Sequence, residues 1–465
     1  MPSPATRRFV QESALPAPAR AVYDWHARPG AFERLAPPWQ ALRLVERSGG
    51  IADGGRVVFD ARFGPVTRRW EAVHRDAVPG ERFTDEQLRG PFASWVHTHR
   101  FVPLGEQQSR LLDEIEYRLP FGVPGAVLGG ALAEREIARL FRFRHRRTRE
   151  DLARHAAYAG RPRLVVAISG ASGLVGGALA SFLTTGGHAV RRLVRRAVAP
   201  GSGEIAWDPK RGELDAAALE GCDAVVHLAG ENIGAARWTP ARKEAIRESR
   251  VASTRLLCET LARMARPPRA LVAASAIGWY GASDGDAPID EGAPAGAGFL
   301  AELTRAWEAA LEPARAAGIR VVALRTGVVM AAQGGALAKM LPAVKAGLGG
   351  PIGSGRQWVS WIALDDLVGI AHAALFEESW SGPVNAVSPQ PVRQAELART
   401  LGRVLRRPAV LPLPAFAVRA LFGEMGQELL LDGARIVPGR LAAAGFPFLH
   451  ASLERALRVE LGRNT

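Results

Sequence analysis

Two cysteines, Cys222 and Cys258, in 465 residues leave no disulfide framework and no C-x-x-C metal pattern. That scarcity agrees with a reducing compartment, and both read as ordinary thiols. Long apolar runs are missing as well. Nothing approaches the roughly 18 residues needed to span a bilayer, and the most apolar stretches, 123–133 and 410–422, are too short or broken by proline. Arg7 and Arg8 are followed by Gln11, Glu12 and Ser13 instead of an apolar segment, so the start does not read as an export signal and a cytoplasmic protein is expected. The formal charge of +14 comes almost entirely from arginine in a chain rich in alanine and glycine, the mark of GC-rich codons. Only 139–149 is densely basic, on an expected helix with a solvated face, so no nucleic-acid partner is expected.

With 48% hydrophobic and 23% charged residues the chain is globular, and its length calls for several cores. The first part reads as strands at 7–15, 42–49, 56–63, 67–78, 82–88, 95–101 and 110–119, punctuated by Gly49-Gly50, Asp53-Gly54-Gly55, Pro79-Gly80 and Gly90-Pro91. Short helices at 18–25 and 29–35 follow the first strand, and a long one at 126–154 closes the set. A curved antiparallel sheet gripping that last helix would bury these faces, an α+β helix-grip domain.

Local motifs agree: Phe83-Thr-Asp-Glu-Gln87, Gly90-Pro-Phe92, Trp95-Val-His-Thr-His99-Arg-Phe101, Asp113 and Tyr117-Arg-Leu-Pro120. This part resembles the SRPBCC (START/Bet v 1-like) superfamily, which implies a cavity for a small, hydrophobic ligand. His97 and His99, two apart on a strand, share a face with Trp95 and Phe101. A metal would need a third donor, and none stands at useful spacing, so aromatic and polar packing is expected and no metal site.

Past Gly160-Arg-Pro162 the rhythm changes. Strands at 164–168, 189–194, 224–228, 270–274 and 321–324 alternate with helices at 174–185, 243–265 and 300–317, the pattern of a Rossmann-type doubly wound parallel α/β sheet. The first strand runs into Gly170-Ala171-Ser172-Gly173-Leu174-Val175-Gly176 and then a helix. There Gly170 permits the turn, Gly173 lets the backbone approach a pyrophosphate and Gly176 lets helix and strand pack, with phosphate at the helix N-terminus. An NAD enzyme carries an acid at the end of the second strand to hold the ribose hydroxyls. Here that strand ends Leu193-Val194-Arg195-Arg196, which favours NADP(H).

These glycines, with Val226-His227-Leu228-Ala229-Gly230 and Ala273-Ala-Ser275-Ala-Ile-Gly-Trp-Tyr280-Gly281, resemble the extended, epimerase-like short-chain dehydrogenase/reductases. The resemblance implies that Ser275 holds the catalytic serine position and that Leu228, Ala229, Gly230, Ser275 and Arg325 join the glycine turn, Arg195 and Arg196 around the cofactor. The family's Tyr-x-x-x-Lys acid/base pair falls on Phe299 and Leu303, neither of which can transfer a proton. That vacancy, Glu231-Asn-Ile233, Trp307-Glu308, Leu324-Arg-Thr-Gly-Val-Val329, Gly353-Ser-Gly-Arg-Gln-Trp-Val-Ser-Trp361, Asp365-Asp366, Pro414-Ala-Phe416, Gly423-Glu-Met425, Pro438 and Gly445-Phe-Pro-Phe448 together resemble one atypical branch of epimerase-like proteins of unknown function. Tyr280 is the candidate replacement proton donor, with a ring packed at the turn before Gly281 the favoured alternative; Arg356, Trp358 and Trp361 are expected to line a substrate pocket, although packing of the C-terminal segment explains the tryptophans equally well.

The expected organisation is a helix-grip domain at 1–152, a linker at 153–162, an NADP-binding domain at 163–390 and a small helical segment at 391–465. Three functions stay open: an NADPH-dependent oxidoreductase on an unidentified substrate, with a hydrophobic one as the expectation, a non-catalytic NADP(H) sensor or scaffold, and a nucleotide-sugar epimerase. The last needs the missing acid/base and ranks lowest.

Overall fold

The computed structural model describes residues 6–64, 66–199, 201–283 and 285–463. The chain divides near Pro162 into two compact units. The first holds strands β1 (Arg7–Leu15), β2 (Leu42–Ser48), β3 (Arg56–Phe63), β4 (Val66–Val78), β5 (Arg82–Arg89), β6 (Ser94–Gly105) and β7 (Gln108–Arg118), with helices α1 (Ala19–Ala27), α2 (Ala31–Leu35) and α3 (Gly122–Ala156). The strands form one antiparallel sheet in the order β1-β7-β6-β5-β4-β3-β2. Strict alternation along β6 and β7 turns Trp95, His97, His99, Phe101, Leu111, Asp113, Ile115 and Tyr117 inward. Ile137 and Phe141 of α3 pack on Trp95, Ile115 and Tyr117, so the long helix is the lid of the sheet's inner face. α3 runs to Ala156, so the expected linker from 153 begins inside a helix. Alanine and arginine at 153–156 are good helix formers and propagate it past the point where their polarity suggested an end.

The second unit is built on β8 (Val165–Ser169), α4 (Leu174–Thr185), β9 (Ala189–Val194), β10 (Glu204–Asp208), β11 (Glu213–Leu214), β12 (Ala224–His227), α5 (Pro240–Ala262), β13 (Ala270–Ala276), α6 (Phe299–Ala309) and β14 (Arg320–Thr326). Its sheet runs β11-β10-β9-β8-β12-β13-β14 and ends on the strand Gly382–Ala386. All neighbours are parallel except β11. The chain leaves β8 in one direction towards β9 and resumes on its other side at β12. The carboxyl ends of β8 and β12 therefore flank the crevice where such sheets take their ligands. β10, β11 and Gly382–Ala386 are absent from the sequence expectation. They are short, charged or proline-containing, and only pairing with a long neighbour makes them strands.

Candidate functional site

Gly170 has φ of 71°, and a Cβ there would stand 2.8 Å from the carbonyl of Leu228. At Gly176 a Cβ would lie 2.2 Å from the Gly170 carbonyl oxygen. The turn between β8 and α4 is therefore closed to any side chain at these two positions. Gly173 donates its amide to Gly170 at 2.9 Å and so closes the turn on itself. Beyond it, Leu174 and Val175 open α4 with amides that have no intrahelical carbonyl, at the positive end of the helix. A glycine cradle leading into free helix amides is the donor set that a diphosphate requires.

His227, at the end of β12, holds this crevice in shape. Its Nδ1 accepts from the Ser169 hydroxyl at 2.7 Å, since Ser169 Oγ itself accepts the amides of Leu228 and Ala229 at 3.2 and 3.3 Å. Its Nε2 then donates to Thr254 Oγ1 on α5 at 3.0 Å, and the Trp307 indole of α6 donates to the same oxygen at 2.9 Å. Complete burial pushes His227 down to about 4, so it is the neutral Nε2–H tautomer. Four elements around the crevice are thus tied through one imidazole, a role that no spacing in the sequence reveals.

Arg195 and Arg196 follow β9 and are exposed. Arg196 donates to both carboxylate oxygens of Glu204, at 2.7 Å each. An acid does reach this corner after all: β10 brings it beside β9, where a reading along β9 alone finds none.

The polar groups expected to work on substrate are bonded to one another. Ser275 donates to Glu308 Oε1 at 2.5 Å, and Arg325 grips both oxygens of Glu308 at 2.8 and 2.9 Å. The third arm of Arg325 donates to the Tyr280 hydroxyl at 3.0 Å, which donates in turn to Asn385 Oδ1 at 2.7 Å. Trp279 covers the guanidinium at 3.9 Å. Ser275, Tyr280 and Arg325 are all buried, and burial raises Tyr280 above the usual phenol value despite the arginine beside it. Arg325, expected at the cofactor, and Tyr280, the candidate proton donor, both have polar atoms engaged in this network. Phe299 and Leu303 are buried on α6 against Ile246, with Trp238 beside them.

One residue of the expected pocket wall, Trp361, lies elsewhere. Trp361 is fully buried, with its indole donating to the Gln390 carbonyl at 2.8 Å, so it is core. Trp358 is half-buried under the guanidinium of Arg393 at 3.9 Å, while Arg356 is exposed. Arg435 lies over the same ring at 5.2 Å, and neither cation was visible in the sequence.

In the first unit the third donor beside His97 and His99 does exist. Asp85 of β5 lies directly opposite His97, His74 of β4 opposite Asp85, and Asp113 of β7 opposite His99. His145 of α3 adds a contact to Asp113 Oδ2 at 2.7 Å. Spacing along one strand cannot show donors that arrive from its neighbours.

Residues 166–385 match the NAD dependent epimerase/dehydratase family, residues 15–143 the family described as polyketide cyclase / dehydrase and lipid transport, and residues 413–459 a domain of unknown function, DUF1731. An epimerase family protein of Mycobacterium tuberculosis is 46% identical over 293 residues, 63% of this chain and 96% of that protein. The crystal structure of a nucleoside-diphosphate sugar epimerase from Corynebacterium glutamicum is similar over 98% of this chain and 90% of its own, at 35% identity and a TM-score of 0.80. The structure of the human epimerase family protein SDR39U1 with NADPH matches 64% of this chain and 99% of its own, at 36% identity and a TM-score of 0.58. Glycine turn, doubly wound sheet and these matches agree, and the chain belongs to the epimerase family of short-chain dehydrogenase/reductase-like proteins, carried behind an N-terminal SRPBCC domain.

Proposed function

We propose that the protein binds NADP(H) in the second unit and holds it as a bound ligand instead of cycling it through ketone or nucleotide-sugar chemistry. The observation that carries this reading is the closed network Ser275–Glu308–Arg325–Tyr280–Asn385 beside apolar Phe299 and Leu303: the hydroxyls of Ser275 and Tyr280 donate inside it, and neither Phe299 nor Leu303 has a proton to transfer. Support for the phosphorylated dinucleotide comes from exposed Arg195 at the end of β9 and from the human relative bound to NADPH. Hydride transfer to an acceptor that takes its proton from water is the oxidoreductase chemistry compatible with such a site. Epimerisation, which moves a proton on and off carbon or oxygen, is not. The first unit, by its match to a lipid-transport family, is proposed to hold a small hydrophobic molecule. Two free, buried thiols support a cytoplasmic setting.

Calorimetric titration tests the cofactor reading. NADPH should bind at least about tenfold tighter than NADH, the worth of one charge-assisted bond to the extra phosphate. Arg195→Ala should remove most of that preference, and Arg196→Ala less, because Glu204 already holds it. Turnover on ketones and nucleotide sugars should fall at least about 100-fold below ordinary enzyme rates. Equal affinities for the two cofactors, or normal turnover, would overturn the proposal.

A further inference from the structure

The inner face of the first unit carries a cluster that packing alone does not account for. His97 Nδ1 and His99 Nε2 each lie 3.3 Å from the same oxygen, Asp85 Oδ2. On their other sides, His97 Nε2 is 3.1 Å and His99 Nδ1 2.7 Å from Asp113 Oδ1. Both rings therefore stand between two carboxylates, and four ring nitrogens face oxygens that only accept.

A neutral imidazole has one N–H. Two of the four contacts consequently lack a donor when both rings are neutral, and one still does when a single ring is a cation; full pairing needs two cations whose centroids are only 3.8 Å apart. A divalent cation on the Asp85 side resolves the count. It would meet one lone pair from each ring, and each ring would keep its remaining N–H for Asp113. Carboxylate–histidine–metal chains of this kind orient metal-binding imidazoles generally.

We infer that Asp85, His97 and His99 form a site for a divalent first-row transition cation of the Zn²⁺ class, with Asp113 orienting both imidazoles. Tetrahedral bonds of about 2.0–2.1 Å place donors about 3.3–3.4 Å apart, which matches the 3.3 Å from each ring nitrogen to Asp85 Oδ2, and all three donor atoms lie within 4.8 Å of one another. Two imidazoles and a carboxylate suit such ions over Mg²⁺ or Ca²⁺, which prefer oxygen alone. His74 Nε2, 2.8 Å from Asp85 Oδ1, and His145, on Asp113 Oδ2, steady the two carboxylates from β4 and α3. Asp85 keeps 23% of its side chain exposed and supplies the way in, while His97 is 1% and His99 4% exposed. Three protein donors leave a fourth position for water or an oxygen of a bound molecule.

The test uses the full chain, stripped with a chelator and titrated with Zn²⁺, and separately with Co²⁺ as a visible-absorption probe. One equivalent should bind, Co²⁺ should give the intense absorption of a tetrahedral N/O shell, and Mg²⁺ should not compete. Asp85→Asn and the double variant His97→Ala with His99→Ala should lose more affinity than Asp113→Asn, which should weaken binding about 10- to 100-fold. Near-ultraviolet circular dichroism distinguishes a folded variant from a collapsed one, and the wild-type titration stands whatever the variants do. Absence of stoichiometric binding by the wild type, or equal affinity in folded Asp85→Asn, overturns the site.

Discussion

Ser275 and Arg325 are residue types that a linear reading assigns to substrate and cofactor, and both turn inward because Glu308 sits between them. Removing one member of a buried ion pair strands the other charge and costs about 3–5 kcal/mol, whereas losing one neutral donor costs about 1 kcal/mol. Arg325→Met should therefore lower the urea-unfolding stability of the second unit by about 3–5 kcal/mol, and Ser275→Ala by about 1 kcal/mol. A catalytic rather than architectural Arg325 would give the reverse pattern, with stability nearly unchanged. The serine was legible as a position in a motif, but its partner was not. Glu308 lies 33 residues further on, on a different element.

At the scale of the element, the β8 turn and α4 obey the rule that their glycines announce. Gly176→Ala would drive a Cβ to 2.2 Å from a backbone oxygen, while at Gly177 the nearest atom stands at 3.5 Å, an ordinary contact. Overpacking of the first kind costs about 1–3 kcal/mol. Gly176→Ala should thus weaken dinucleotide binding about tenfold or more, and Gly177→Ala should leave it within about twofold, both read by titration. Equal affinities would mean that the turn relaxes without disturbing the cradle. The existence and type of these elements were readable because strand, glycine turn and helix are consecutive in the chain. α6 shows the opposite case. Its first amides, Phe299 and Leu300, are held by the Glu428 carboxylate at 3.0 and 2.9 Å, a cap supplied from more than a hundred residues away.

Across the whole molecule, buried histidines couple stability to pH. His227 is pushed by burial from 6.5 to about 4. The unfolded chain takes up this proton below about 6.5 and the folded chain refuses it until about 4. The contribution is therefore complete above pH 6.5, declines as pH falls to about 4, and amounts to about 3 kcal/mol. Unfolding free energies measured between pH 7 and 4 should decline less steeply for His227→Gln than for the wild type. Parallel curves would show that its burial does not govern the titration.

Local order along the chain determined the two fold classes, the glycine turn and the arginines after β9, because each depends on residues within one or two consecutive elements. Register and crossover decided the rest. Pairing of β4, β5, β6 and β7 sets His74, Asp85, His97, His99 and Asp113 in facing positions, and the path of the chain from β13 through α6 to β14 closes Ser275, Glu308 and Arg325 on one another. Contacts between residues distant in sequence leave no periodic trace in it, so only the folded chain shows which polar groups are free to act and which are held.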